Sequence, residues 1–162
     1  MIRKWVFRII TTLCLLSTVV FIFSNSLQDA TTSGAQSDKV VETVQGVVNQ
    51  VFPSNPPTVT SKFVRKSAHF TEFALLGFLA VLTYLSYTNN RKFVWVIPTF
   101  GFTTAVVDEV LQLFVDGRAG AGLDVLIDFS GVIFGILIAM LTCFIIFKII
   151  KSIKKNTDKK SI

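Results

Sequence analysis

The chain is predicted to be an all-α membrane protein, with four transmembrane helices and an amphipathic helix on the outer side between the first and second. Three observations carry this. Apolar residues make up 51% of the 162 residues, and mean hydropathy is +0.62. They gather in four blocks, at about 5–23, 68–87, 93–115 and 125–147, each close to the roughly 20 residues a helix needs to cross a hydrocarbon core. The basic residues then fall on one side of that arrangement. The length suits a single domain over 1–162.

The formal charge of +6 is read by its distribution, and it is no footprint of nucleic acid. Arg3, Lys4 and Arg8 precede the first block, Arg91 and Lys92 separate the second from the third, and six lysines follow Phe147. With four spans these share one side, where Asp158 is the only acid. The positive-inside rule therefore expects both termini in the cytoplasm.

The first span has a basic start and an apolar centre, as a signal peptide does, and Ser24, Asn25 and Ser26 would serve as a small-residue cleavage region. A retained helix is preferred, because nothing like a mature soluble domain follows. Cleavage would leave the other spans oriented as before. Cys14 and Cys143 sit in apolar blocks and read as packing residues, not as a disulfide or metal pair.

The outer loop, 24–62, has two parts. Residues 24–37 are rich in Ser, Thr, Asn and Gln and read as irregular. Over 38–52, Val40, Val44, Val47, Val48 and Val51 recur at helical spacing, giving a short amphipathic helix stopped by Pro53, Pro56 and Pro57. The β-branched run makes a strand the competing reading. This segment is either a cover for the bundle or a gate over a site.

The second span enters from outside at Arg65, and residues 89–92 form an inner turn. The third climbs outward to Asp108-Glu109-Val110-Leu111-Gln112. An outer loop from Asp116 to Gly122 carries Arg118, and the fourth span starts near Asp124. The tail, 148–162, reads as a basic anchor beside anionic lipid.

This topology brings the polar residues together. Arg65, His69 and Glu72 stand at i, i+4 and i+7 on one helix face, and His69 is the only histidine. They open a descending helix, Asp108, Glu109 and Gln112 close an ascending one, and Asp124 and Asp128 open the next. All lie at the outer level, below Arg118. Gly101, Ala105, Asp108 and Gln112 form one stripe; Asp124, Asp128, Gly131 and Gly135 form another, ending in a GxxxG pattern that brings helices close. The carboxylates are thus expected to face the bundle.

Glu72, Asp108, Glu109, Asp124 and Asp128 outnumber Arg65, Lys66, Arg118 and His69, so either a carboxyl keeps its proton or a cation completes the cluster. A structural ion-pair network orienting three helices is the alternative to a working site. A zincin needs H-E-x-x-H, which one histidine does not supply. His69-x-x-Glu72 with Asp124 or Asp128 offers metal ligands, but at a spacing common by chance, so metal and cofactor stay unassigned. No G-x-S-x-G elbow is present, and Gly122-Leu123-Asp124 is not an intramembrane aspartyl protease motif. What remains is His69 as general base with Glu72 orienting it and Asp124 as a third catalytic candidate. Arg65, Asp108, Glu109, Gln112, Arg118 and Asp128 are the ligand-binding candidates, the arginines suited to phosphate or carboxylate.

Taken in order, Phe23-Ser24-Asn25-Ser26-Leu27-Gln28, Arg65-Lys66-Ser67-Ala68-His69-Phe70-Thr71-Glu72-Phe73 with Gly77, Asp108-Glu109-x-x-Gln112, Gly117-Arg118, Asp124-Val125 and Asp128-x-x-Gly131 resemble the VanZ-like family. Phe73 stands where that family often has Tyr, and Asp128 where Asn is common. The resemblance implies a small protein of the bacterial cytoplasmic membrane, linked to the cell envelope and to resistance against the glycopeptide teicoplanin. It implies no agreed catalytic residue or cofactor. The expected function is binding or modification of an outer-face envelope component, a membrane lipid or lipid-linked precursor. A non-enzymatic partner limiting antibiotic access is the alternative. Transport ranks last, because the inner halves of the spans lack acidic residues and histidine. Oligomeric state is not indicated.

Overall fold

Hydrocarbon offers no hydrogen-bond partners, so a chain this apolar must satisfy its backbone internally, and helices do so. The computed structural model describes residues 2–88, 90, 92, 94–118 and 122–160, with side chains as far as 155. Among the described residues there are five α-helices and no strand: α1 (Ile2–Ser26), α2 (Ala30–Val51), α3 (Ser61–Tyr87), α4 (Val96–Gln112) and α5 (Gly122–Lys160). The readings made for Asn89, Arg91 and Phe93, and for residues 119–121, lie outside the described residues.

Three helices are long and apolar enough to cross a membrane: α1 with 25 residues, α3 with 27, and 34 residues of α5 over Gly122–Lys155. Helix α4 has 17 residues, or about 25 Å at 1.5 Å per residue, shorter than the expected 93–115. It stops at Gln112 because the chain tightens there. Leu113, Phe114 and Val115 donate to carbonyls three residues back, at 3.2, 3.1 and 3.2 Å. Gly117 follows with φ +74°, a left-handed turn that glycine adopts without strain, and it delivers Arg118 to the bundle end.

Helix α2 corrects the reading of 24–37 as irregular, since it begins at Ala30 and runs unbroken to Val51. Asp29 is the reason. Its carboxylate accepts from the Thr32 N–H at 2.7 Å and from the Thr31 and Thr32 hydroxyls at 2.5 and 2.9 Å, closing the first turn. These bonds, the Thr31 hydroxyl foremost, pull the Asp29 carboxyl down from 3.8 to about 2. Capped in this way, the valine-rich segment is a helix and not a strand. None of its residues is buried, and Val40, Val44, Val47 and Val51 are exposed along one face. Helix α3 starts at Ser61, ahead of the expected 68, because Thr60 caps it by accepting from the Phe63 N–H at 3.2 Å. Helix α5 continues through the lysine segment to Lys160, where the expectation was an anchor beyond 147.

Helices α1 and α3 are antiparallel. At one end the Arg8 Nε–H donates to the Ser86 carbonyl at 2.8 Å, and Thr12 and Tyr87 share a hydrogen bond at 3.2 Å. At the other, Asn25 meets Glu72. Helices α3 and α5 pack most tightly. A Cβ on Gly131 would overlap the Phe70 carbonyl, one on Gly135 the Ala74 carbonyl, and one on Gly77 the Val132 carbonyl. Val132 is fully buried between Gly77 and Gly101, and with Ile22, Phe73, Leu76 and Ala105 forms the core under the polar end. Outward faces stay apolar, with Leu16, Val20, Leu137 and Leu141 exposed, as lipid-facing helices require.

Candidate functional site

Above that core, α1, α3, α4, α5 and the Arg118 turn bring their polar residues to one end. The tight α3–α5 contact sets the level: Phe70 lies against Gly131, one residue past His69 on one helix and three past Asp128 on the other. From α4, Asp108 closes the third side. His69 Nδ1 is 3.7 Å from Asp108 Oδ2 and 3.8 Å from Asp128 Oδ1. Asp108 and Asp128 are 0% and 1% exposed. Gln112 donates to Asp108 Oδ2 at 3.0 Å, one helical turn on.

The other groups pair around this centre. Lys66 forms a salt bridge with Asp124, across α3 and α5. Asn25, at the end of α1, donates from Nδ2 to Glu72 Oε1 at 2.9 Å, while its backbone carbonyl accepts from Arg118 Nη2 at 3.3 Å. Burial, with Arg65 close by, lowers the Arg118 guanidinium from its ordinary range, and Asp108, Asp29 and Glu109 counter this. Glu109 is itself buried. Among the described residues, several buried polar atoms still have no hydrogen-bond partner: His69 Nδ1, Glu72 Oε2, Asp108 Oδ1, Asp128 Oδ2, and Arg118 Nε and Nη1. Such atoms are costly away from water unless something fills the site.

His69 and Arg65 line two cavities. One, of about 10 Å³, is also bounded by Lys66, Gln112, Asp124 and Asp128. The other, of about 170 Å³, lies under α2, with Asn25, Ser33, Glu72 and Arg118 on its wall. Beside it an apolar groove of about 500 Å³ runs between α2 and α3 along Val44, Val59, Phe63 and Thr71. Cavity and groove share Val40, Val64, Ala68 and Glu72, so the cavity that holds Arg65, His69 and Arg118 adjoins an apolar groove.

The predicted residues thus stand at one end of the bundle, but their pairing differs from expectation. Glu72 was expected to orient His69; it is turned to Asn25, and the carboxylates beside His69 Nδ1 are Asp108 and Asp128. The reason is the neighbour on each edge of α3: α1 lies against Glu72, α4 and α5 against His69. Asn25 and Lys66 were missed as site residues. Lys66 adjoins Arg65 in the same polar run. Asn25 is uncharged and ends an apolar helix; its only signal was the Phe23–Gln28 segment quoted for the family resemblance.

No curated protein and no solved structure matches the chain. A family description, VanZ/LLP1, matches residues 9–148, taking in every element of the site just described. With most of its length matched in this way, the chain belongs to the VanZ/LLP1 family.

Proposed function

We propose that this chain is a single-domain protein of the bacterial cytoplasmic membrane that takes the anionic headgroup of an outer-leaflet amphiphile, a phospholipid or lipid-linked envelope precursor, into the cavity between α2 and α3. In this reading α4 is the short fourth span, α2 lies along the membrane surface, both termini are cytoplasmic, and the polar end faces outward. The observation that carries it is that the cavity walled by Arg65 and Arg118 adjoins the Val44–Phe63 groove through shared lining residues, since a headgroup and an acyl chain need such neighbouring sites. Unpartnered Arg118 Nε and Nη1 supply two donors for an anion. His69, on the wall of both cavities, is placed to move a proton when the bound lipid is modified. The reading extends to a role of this site in susceptibility to teicoplanin-type glycopeptides, as the resemblance to the VanZ-like family implies.

The test is native mass spectrometry of the chain released from bacterial membranes, with glycopeptide susceptibility measured in parallel. Wild type retains an anionic lipid. Arg118→Ala reduces retention by roughly tenfold or more, the scale of one charge-assisted hydrogen bond, and abolishes any susceptibility phenotype of the gene. Equal retention by Arg118→Ala and by the groove-filling Ala68→Phe refutes the reading. A new or missing envelope lipid species in cells lacking the protein marks modification; an unchanged lipid profile with retained binding marks a non-enzymatic binder.

A further inference from the structure

The His69, Asp108 and Asp128 centre asks for something other than a headgroup. The three side chains come from three helices, and their nearest donor atoms all lie within 4.8 Å of one another. At 3.7 and 3.8 Å, the His69 Nδ1 distances are too long for hydrogen bonds. They are close to ligand spacing: atoms bound 2.0–2.2 Å from a tetrahedral zinc stand roughly 3.3–3.6 Å from each other. Two of the three residues are buried carboxylates, each with an oxygen lacking a hydrogen-bond partner, and the Nδ1 that faces them lacks one too.

Charge makes the same demand. The Lys66 ammonium is on Asp124, and Arg118, hydrogen-bonded through Nη2 to the Asn25 carbonyl, acts on Asp108 only from a distance and forms no ion pair with Asp108 or Asp128 among the described residues. A single imidazolium balances one of the two carboxylates beside it; a divalent ion balances both. Gln112 holds Asp108 Oδ2, the oxygen that faces His69 Nδ1, and so orients the carboxylate as an outer partner of a ligand does. The glycine contacts between α3 and α5 fix the spacing of His69 and Asp128.

From this geometry we propose that His69 Nδ1, Asp108 and Asp128 form a site for one divalent transition-metal cation. One imidazole with two carboxylates suits Zn²⁺ or Mn²⁺ better than the all-oxygen sets of Ca²⁺. The site stands independently of the headgroup reading.

The test uses the full chain in detergent, stripped with chelator and titrated with Zn²⁺ or Mn²⁺ alone. Wild type binds one ion per chain saturably, and its thermal unfolding shifts upward. Asp128→Asn and His69→Ala weaken binding by more than ~10-fold, the least expected when a ligand is lost. Asp116→Asn, in the exposed turn, binds as wild type does. Bound Mn²⁺ shows magnetic coupling to one imidazole nitrogen, a reading taken on wild type and so independent of how any variant folds. Failure of wild type to bind either ion, absence of the nitrogen coupling, or equal loss on Asp116→Asn overturns the site.

Discussion

Asp29 shows how one side chain reaches the site without touching it. Its carboxylate closes the first turn of α2, and the next turns supply Ser33, Gln36 and Ser37 to the cavity wall. Because hydrogen bonds hold the folded carboxyl at about 2 against an ordinary 3.8, the charged cap stabilises the folded chain at every pH above about 4. That contribution is lost as the pH falls through about 2. Carbon NMR of the labelled carboxyl in micelles is expected to give a midpoint near 2, with the Thr32 amide shifting in step. Asp29→Asn caps without titrating, so its Thr32 amide is expected to stay still over the same window. A carboxyl midpoint near 3.8 would mean the cap is open. At this scale the sequence was legible where charge marked it: His69, Glu72, Asp108 and Asp128 could be placed at one level. Which carboxylate faced His69 was not, because a helical face spans more than one neighbour and residue spacing does not say which helix lies on each edge.

Helices α3 and α5 hold the site by backbone contact. The GxxxG pattern was readable, and its role is physical: Gly131 and Gly135 remove the side chains that would separate α5 from the Phe70 and Ala74 carbonyls. Gly135→Ala drives a methyl into the Ala74 backbone, which cannot rotate aside as a side chain could. The expected cost is about 1–3 kcal/mol, typical of overpacking, read as earlier thermal unfolding in detergent, with Gly46→Ala in the open face of α2 as the unaffected comparison. Equal behaviour of the two would show that the helices can separate freely. The amphipathic character of α2 was legible in its valine spacing. Its first eight residues were not, because Ser, Thr and Gln there resemble a loop until Asp29 is seen capping them. The end of α4 was hidden in the same way: Leu113, Phe114 and Val115 are apolar, and only the turn bonds and Gly117 show that the helix has stopped.

Across the whole molecule, charge divides by end. Arg3, Lys4 and Arg8 lie with Ser86, Tyr87 and Thr88 around one groove, while Glu72, Asp108, Asp124 and Asp128 gather at the opposite end. This polarity was the most legible feature, because it depends on the order of basic and apolar blocks and not on any single contact. The number of crossings turns on α4, whose 17 residues span about 25 Å against a hydrocarbon core of roughly 30 Å. A short span is tolerated by local thinning of the bilayer and by flanking polar residues, each at modest cost. If α4 crosses, Lys92 and Asp116 lie on opposite faces; if it enters and returns, they share one. With Cys14 and Cys143 replaced by Ala, a cysteine at Asp116 is expected to react in intact cells with a maleimide that cannot cross membranes. A cysteine at Lys92 is expected to react only after permeabilisation, and a reporter fused at the C-terminus to read cytoplasmic. Labelling of both positions from the same side would contradict α4 as a span, whereas the reverse pattern, Lys92 reached from outside and Asp116 only after permeabilisation, would invert the whole bundle. The Asp108 and Asp128 carboxylates would keep their places around His69, but the side of the membrane they serve would have to be assigned again.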